Sequence, residues 1–380
     1  MAHVSAVDWV FPSLAAAGAG FYLLSAAAVL LALRRGPPST VGTIPFTILK
    51  PLREASPDLY ENLASFCRLD YPEVQIILGL RSESDPAHEI ARKVQADFPE
   101  RDIRVLAEEP AMEGSPRVAN LANILRRAKH DLLLISDDDA RVEPHFLGRV
   151  AELLREGSTG AVTALYYARC RSPGSALHAL TINLETLPFG LIAHLGWGGL
   201  VANGAALAVR RDALDRAGGF EAAADRPGDN LWLVRAIHRA GYRTELLSEL
   251  VEMRDDPGSI AGFLRHQLRW DRTDRFLSPL LALGRILTQG LFWSLVYVAA
   301  TAASELSLWT LLTVGALRLA SAASIAIKLR CGSMMAWLWL VPVRDLLSVA
   351  IWVSSWFGRT IRFHGRSYRI EGGRRRVVPE

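Results

Sequence analysis

The sequence predicts an α/β domain carried between membrane-spanning ends, and three observations lead there. From Phe46 to Ser136 short apolar runs alternate with stretches of helical spacing, the pattern of a parallel sheet with helical crossovers. Charged residues crowd positions 34–280, while both ends are apolar. One apolar run, Leu132-Leu133-Leu134-Ile135, leads into Ser136-Asp137-Asp138-Asp139, and ligands of open α/β sheets bind at the carboxyl ends of strands.

In chain order, Ser13 to Leu33 carries no charge for 21 residues, enough for a helix to cross a hydrocarbon core. A cleaved signal peptide would want a basic start, yet the residues before this stretch offer Asp8 and no Lys or Arg. Arg34-Arg35 follow at once and place the next segment in the cytosol. Strands are expected at Phe46 to Lys50, Val74 to Leu80, Ile103 to Val105 and Asp131 to Ser136. The helices between them run from Leu59 to Leu69, Ala87 to Phe98 and Val118 to Ala128. Past the acidic cluster come a helix (Phe146 to Arg155), a strand (Ala161 to Tyr167) and an apolar stretch, Ser175 to His194. That stretch is read as a helix lying on a membrane or lining an acceptor groove. Flexible glycine-rich spots, Gly196-Trp197-Gly198-Gly199 and Asn203-Gly204, precede a strand at Ala206 to Val209 and a helix at Arg211 to Ala217. Asp225, Asp229 and Asn230 then lead into a helix running through His238, with Pro227 and Gly228 keeping the backbone open before it.

Toward the C-terminus, Gly290 to Ala303 and Leu306 to Ile327 read as two spans. Met334 to Phe357 is a third apolar stretch interrupted by Pro342, Arg344 and Asp345, which suits a re-entrant or broken segment with the two charges paired. The expected division is an anchor at 1–35, a cytosolic domain at 36–280, a membrane region at 281–358 and a basic cytosolic tail at 359–380 with seven arginines. The formal net charge is +4, and the arginines beside the apolar ends suit an anionic membrane face better than nucleic acid. Three widely spaced cysteines give neither a disulfide framework nor a zinc pattern, as expected of a reducing compartment.

The acidic cluster carries the chemistry. Three adjacent acids are costly to ionise together without a positive partner. Asp137 and Asp139, two apart, suit a hard divalent cation that also grips a diphosphate, whereas an isolated Asp-Asp-Asp in a loop is an ordinary solvated turn. Asp85 is a second carboxylate at a strand's end, placed either to read a nucleotide base or to cap the next helix. Arg265, Arg269 and Arg272 fall on one helical face beside Trp270, where they would balance a diphosphate or touch lipid headgroups.

Taken together, LKPLREASPDLYENLASFCRLDYPEVQIILGLRSESDPA, EGSPRVANL, ISDDDARVEP, AGGFEAAADRPGDNLWLVRAIHRAGYR, FLRHQLRW and VPVRDLLSVAIW…RFHGRSYRIEGG resemble the ceramide glucosyltransferase group of family 2/21 glycosyltransferases. That group includes bacterial hopanoid-associated lipid glycosyltransferases. The resemblance covers about 46 to 373. It implies an inverting GT-A fold, a UDP-sugar donor, a divalent metal (Mg2+ or Mn2+), and a membrane lipid as acceptor. By the same resemblance Asp85 would contact the uridine, Asp137 and Asp139 would handle metal and diphosphate, and Arg269 with Trp270 would close over donor and acceptor. The expected setting is a multi-pass protein of the bacterial inner membrane.

Three positions depart from the family pattern. Arg117 stands where the family usually has Lys, keeping the charge but changing reach and geometry. His266 opens the arginine–tryptophan motif in place of the usual Gln or Arg. Asn230 occupies the position of the family's base, with Asp229 just before it, and Asn cannot take a proton from a hydroxyl. Either Asp229 supplies the base or the protein turns over slowly or not at all. The remaining alternatives are a polyisoprenyl-phosphate or polysaccharide glycosyltransferase, a membrane scaffold or catalytically silent paralogue, and a channel or transporter. The large charged domain between the anchors argues against the last, since a transporter places its polar groups within the spans.

Overall fold

A computed structural model describes residues 7–33, 44–110, 112, 115–197, 201–202, 205–224, 226, 228–358, 360–363, 366–371 and 374–377. Arg34, Arg35, Gly198, Gly199, Asn203, Gly204, Asp225, Pro227 and Arg359 lie outside the described residues. The chain divides into two compact units, one of Leu33–Tyr167 with Ala193–Asp255, the other of Met1–Ala32, Ala168–Ile192 and Asp256–Glu380.

The first unit is built on strands β1 (Phe46–Pro51), β2 (Val74–Leu80), β3 (Asp102–Ala107), β4 (Leu132–Ser136), β5 (Ala140–Arg141), β6 (Thr159–Ala168), β7 (Ala206–Arg210) and β8 (Arg243–Met253). They form one sheet in the order β3-β2-β1-β4-β7-β6-β8-β5. The four strands expected from the alternating pattern pair in parallel. The sheet is nevertheless mixed, because β7 runs antiparallel to both β4 and β6, and β5 antiparallel to β8. The parallel expectation, drawn from Phe46 to Ser136, thus holds for β1 to β4, and β7 and β5 add antiparallel pairs. Helices still separate the later strands, Phe146–Leu154 before β6, Pro173–Thr181 and Leu187–Trp197 before β7, and Arg211–Arg216 and Asp229–Arg239 before β8, but β7 returns antiparallel to both its neighbours. β8 was not expected at all. Its charged residues, Glu245, Glu249 and Glu252 among them, hide the apolar positions Leu247 and Val251 that it buries.

Apolar side chains of β1, β2, β4 and β7 (Leu49, Ile77, Leu133, Ile135, Leu207, Val209) share a core with α4 (Pro116–Leu125) and α9 (Asp229–Arg239). The approach of α4 to β2 is close: a Cβ at Gly79 would lie 2.5 Å from Asn120 Oδ1. Asn120 Nδ2 instead donates to the Gly79 carbonyl at 2.8 Å. This fixes the start of α4, where Arg117 sits.

The second unit is mostly helical. It holds α1 (Val7–Ala32), α6 (Pro173–Thr181), a π-helical turn at Ile182–Thr186 and the first residues of α7 (Leu187–Trp197). After α10 (Ile260–Leu277) come α11 (Pro279–Gly284), α12 (Gly290–Ala300), α13 (Glu305–Lys328), α14 (Gly332–Met335) and α15 (Val341–Ser355). Among the described residues four helical stretches are long and apolar enough to cross a membrane: Val7–Ala32, Pro173–Gly196, Glu305–Lys328 and Leu338–Ser355. The stretch expected to lie on a membrane, Ser175 to His194, is thus one of the four. The expected span Gly290 to Ala303 is helical only as far as Ala300. α12 alone reaches only about 16 Å at the helical rise, too short for a bilayer, and gains enough apolar length only together with Pro279–Thr288, from which it is bent by 58°.

α1 crosses α12 at a small-residue contact, where a Cβ on Gly18 would come within 2.2 Å of the Gly290 amide nitrogen. Deeper in the bundle runs a chain of ion pairs. Arg318 grips Asp345 with two hydrogen bonds of 2.8 Å, and Arg344 meets the same carboxylate at 2.8 Å. Arg344 also reaches Glu185 at 2.6 Å, Arg285 reaches Glu185 at 2.9 Å, and Arg285 reaches Asp271 at 2.8 Å. The pairing of Arg344 with Asp345 expected from sequence is therefore present, but as part of a six-residue network. Glu185 projects from the π-helical turn, a helix distortion that re-aims a side chain. Removing one partner of such a buried set leaves a charge uncompensated. Asp345→Ala is expected to cost about 3–5 kcal/mol. Unfolding in detergent measures it, and paired replacement of Arg318 and Asp345 by Leu should cost less.

Candidate active site

The acidic turn sits at the carboxyl end of β4, where every residue from Leu132 to Ser136 is buried. Beside it, at the end of β1, lies Lys50, a fully buried lysine that sequence reading passed over. Its Nζ donates to the Asp137 carbonyl at 2.7 Å and to Ser136 Oγ at 3.2 Å, and lies 3.7 Å from the centre of the Phe66 ring. Burial pulls its pKa down to about 8, against the pull of the neighbouring aspartates. The detectable signal was a lysine closing an otherwise apolar strand.

Each aspartate has a different environment. Asp137 Oδ1 accepts from Arg117 Nε at 2.7 Å and lies 2.6 Å from its Nη2. Asp138 Oδ2 accepts the Arg53 amide at 3.3 Å, and burial, with the Asp137 charge adding, pushes its carboxyl up to about 6. Asp139 is held through its backbone carbonyl by the Arg254 amide at 2.8 Å. Its side-chain Oδ1 is buried and meets no hydrogen-bond donor among the described residues. Burial drives this carboxyl well above the usual range, and Asp137, Asp138 and Asp255 drive it further. A buried carboxylate oxygen lacking a donor, beside the charges of Asp137, Asp138 and Asp255, suits a hard divalent cation.

Arg117 joins this cluster to the start of α9. Its Nη1 donates to Asp229 Oδ2 at 2.7 Å and reaches Asn230 Oδ1 at 3.5 Å. Burial works against the guanidinium charge, and Asp137 and Asp229 more than offset it, so its pKa rises. Asp229 Oδ1 also accepts the Asn230 amide at 3.0 Å, which satisfies a free donor of the helix start. Gly228 precedes them in the left-handed region, φ 67°, where a side chain would be strained. Asp137, Asp229 and Asn230 are thus brought together around the Arg117 guanidinium, in a single unit that also holds Asp139.

Asp85 lies apart from that guanidinium. Its Oδ1 accepts the Ala87 amide at 2.9 Å, at the start of α3 (Ala87–Asp97), and the Glu54 amide at 3.1 Å. The capping alternative is therefore realised, and the same oxygen holds the loop whose Arg53 amide meets Asp138. His266, Arg269 and Trp270 lie on α10, in the other unit. There the ring of Trp270 stands 4.7 Å from His266 and 5.7 Å from the buried His178. Arg272, read as facing either a diphosphate or lipid headgroups, donates to the Phe357 and Thr360 carbonyls at 2.9 and 2.7 Å.

The sequence matches glycosyl transferase family 21 over residues 10–376. The chain belongs to that family. A ceramide glucosyltransferase of Gibberella zeae is 31% identical over 153 residues, 38% of this chain and 28% of that protein. Ceramide glucosyltransferase 1 of Caenorhabditis elegans is 23% identical over 232 residues, 59% of this chain and 48% of that one. The matches thus span less than half the length of these curated relatives. A mannosyltransferase from Pyrobaculum calidifontis, solved with GDP-Man and Mn2+, superposes with a TM-score of 0.54 at 18% identity. The superposition covers 92% of this family 21 chain and 99% of the mannosyltransferase, and the shared fold is the GT-A type.

Proposed function

We propose that this family 21 protein is a membrane-bound, inverting glycosyltransferase that moves a sugar from a UDP-sugar to a hydroxyl of a membrane lipid, of ceramide or hopanoid type. The observation that carries the reading is the Arg117 guanidinium shared by Asp137 and Asp229. It sets a proton acceptor beside a diphosphate-binding cluster, the two functions that a single displacement at an anomeric carbon requires. Asp229 takes the proton of the lipid hydroxyl, the new bond forms on the face opposite the leaving group, and UDP departs with the electron pair of the broken bond. Asp137 and Asp139 would hold Mg2+ or Mn2+, which would neutralise the diphosphate. Arg117 adds positive charge at the same place, and Lys50 fixes the turn from beneath. For Asp85 we propose contact with the uridine through the oxygen not engaged by the loop. For His266, Arg269 and Trp270 we propose donor binding, on the strength of the family pattern alone.

The test is UDP release by the protein in detergent, with a panel of UDP-sugars and a total lipid extract. Release that needs both a divalent cation and lipid is expected. Release with GDP-sugars alone, or with a polyisoprenyl phosphate in place of the lipid extract, would overturn the donor or the acceptor assignment.

We further propose that the protein sits in the bacterial inner membrane with the sheet domain facing the cytosol, supported by four apolar helices. Alkaline carbonate should leave it in the membrane pellet. Recovery in the supernatant, or glycosylation at a site engineered near Gly157, would rule that arrangement out.

A further inference from the structure

α10 carries the arginine–tryptophan motif, and the packing of this helix within its own unit fixes how the motif is turned. Phe263, Gln267 and Asp271, spaced four apart, form its buried line at 1, 4 and 3% exposure. At about 100° per residue, Trp270 and His266 stand roughly 60° and 100° to one side of Gln267. Arg275 and Arg272 stand roughly 80° and 140° to the other side. These two arginines donate to the carbonyls of Phe357, Gly358 and Thr360 at 2.7 to 2.9 Å. There the chain leaves α15 for an antiparallel sheet of β9 (Thr360–Phe363), β10 (Arg366–Glu371) and β11 (Arg374–Val377), where a basic tail was expected. On the motif side, the rings of His266 and Trp270 meet His178 of α6, with centres 4.8 and 5.7 Å away.

Asp271 brings a charge into the buried line. Gln267 Nε2 donates to its Oδ1 at 2.8 Å, and Arg285 Nη1 lies 2.8 Å from its Oδ2. The other prong of that guanidinium, Nη2, donates to Glu185 Oε2 at 2.9 Å and to Ser348 Oγ at 2.7 Å. Glu185 belongs to the π-helical turn that continues α6. One guanidinium thus ties the helix bearing His266 and Trp270 to the helical stretch bearing His178. We propose that Arg285, acting through Asp271 and Glu185, is a positioning residue for the arginine–tryptophan motif. It fixes the rotation of α10 and its distance from α6, so that His266, Arg269 and Trp270 keep one orientation. The proposal rests on the reading of those three as donor-binding residues. Loss of one partner leaves a buried charge uncompensated, so the helices must re-seat. A misplacement of about 1 Å far from the chemistry costs roughly 10²-fold in rate.

UDP release and tryptophan emission, both measured on the full chain in detergent, test it together. The emission of Trp270 is the difference between each protein and its Trp270→Phe counterpart. Asp271→Asn keeps the shape of the side chain and the Gln267 contact but removes the ion pair. It is expected to shift the Trp270 emission and to lower kcat roughly 10²-fold. Arg285→Gln should do the same, and Arg285→Lys, which keeps the charge but loses the two-pronged reach, should fall nearly as far. Asp345→Asn weakens the same network at Arg318 and Arg344, away from α10. It should lower the unfolding midpoint while keeping the Trp270 emission and most of kcat. Parental kcat or parental emission in Asp271→Asn overturns the proposal. Full rescue by Arg285→Lys would reduce the role to charge, and an equal loss in Asp345→Asn would reduce it to stability, and either overturns it. Parental UDP release by both Trp270→Phe and Arg269→Gln would instead fail the donor-binding reading, and the emission would still report whether Arg285 sets the helix.

Discussion

Asp139→Asn is expected to abolish Mn2+-dependent binding of UDP while leaving the metal-free protein at least as stable as the parent. The two effects share one cause. Asp139 offers a buried oxygen with no donor, and burial beside three other carboxylates already opposes its charge. Asn removes that charge and so relieves the metal-free fold, but it also removes a ligand of the kind a hard cation needs. Isothermal titration with UDP, with and without Mn2+, reads the loss, and thermal unfolding in EDTA reads the stability. Unchanged UDP affinity, or a lower unfolding midpoint in EDTA, would sink the assignment.

Asp138 adds a pH dependence with a defined sign. Its folded value is raised to about 6, above that of an unfolded aspartate near ~3.9, so the folded form holds its proton longer. Ionising it therefore costs stability progressively as pH rises through that window, and the cost is complete above it. A bound divalent cation offsets the cost, so stabilisation by Mn2+ should grow across the same window and then level off. Unfolding midpoints measured with and without Mn2+ across that range check the trend.

How much of this was legible beforehand depends on the range of the interaction. The parallel strands β1 to β4 are short apolar runs bounded by turns, so local pattern suffices for them, and it points to the acidic turn at the end of β4. What was not legible is long-range. The ion pairs of Arg318 and Arg285 leave no local signal, because their partners Asp345 and Glu185 lie 27 and 100 residues away. The bend before α12 has no proline at the break, and only the packed helices define it. The tail looked like a run of arginines because its apolar residues are spaced for a strand, a signal that the flanking charges mask. Asp85 remained ambiguous for a different reason: one oxygen serves a cap, and capping leaves the other available. Arg117 was noticed only as a departure from a family pattern, and sequence spacing cannot show that one guanidinium reaches Asp137, Asp229 and Asn230 at once.

That convergence governs the second large effect. Asp229→Asn is expected to remove transfer by roughly 10²–10⁴, the range typical of a general base, while keeping UDP-sugar binding. Consecutive residues at a helix start point about 100° apart, so Asp229 and Asn230 would not ordinarily face the same point. Here both side-chain oxygens reach Arg117 Nη1, Asp229 at 2.7 Å and Asn230 at 3.5 Å. The left-handed Gly228 in front of them sets the entry of the chain into α9. The carboxylate is therefore already joined through Arg117 to the acidic turn, the proposed diphosphate site, without any rearrangement of the helix. It must exchange its Arg117 contact for the acceptor hydroxyl, and a diphosphate competing for that guanidinium would release it. On this reading Asn230→Asp adds a second acid beside the first and changes the rate only modestly. The opposite outcome is equally definite. If Asn230→Asp raises a near-zero rate by a large factor and Asp229→Asn changes little, the base belongs at 230 and this chain is a silenced member of its family. UDP release from both variants, assayed with the same lipid extract, decides between them.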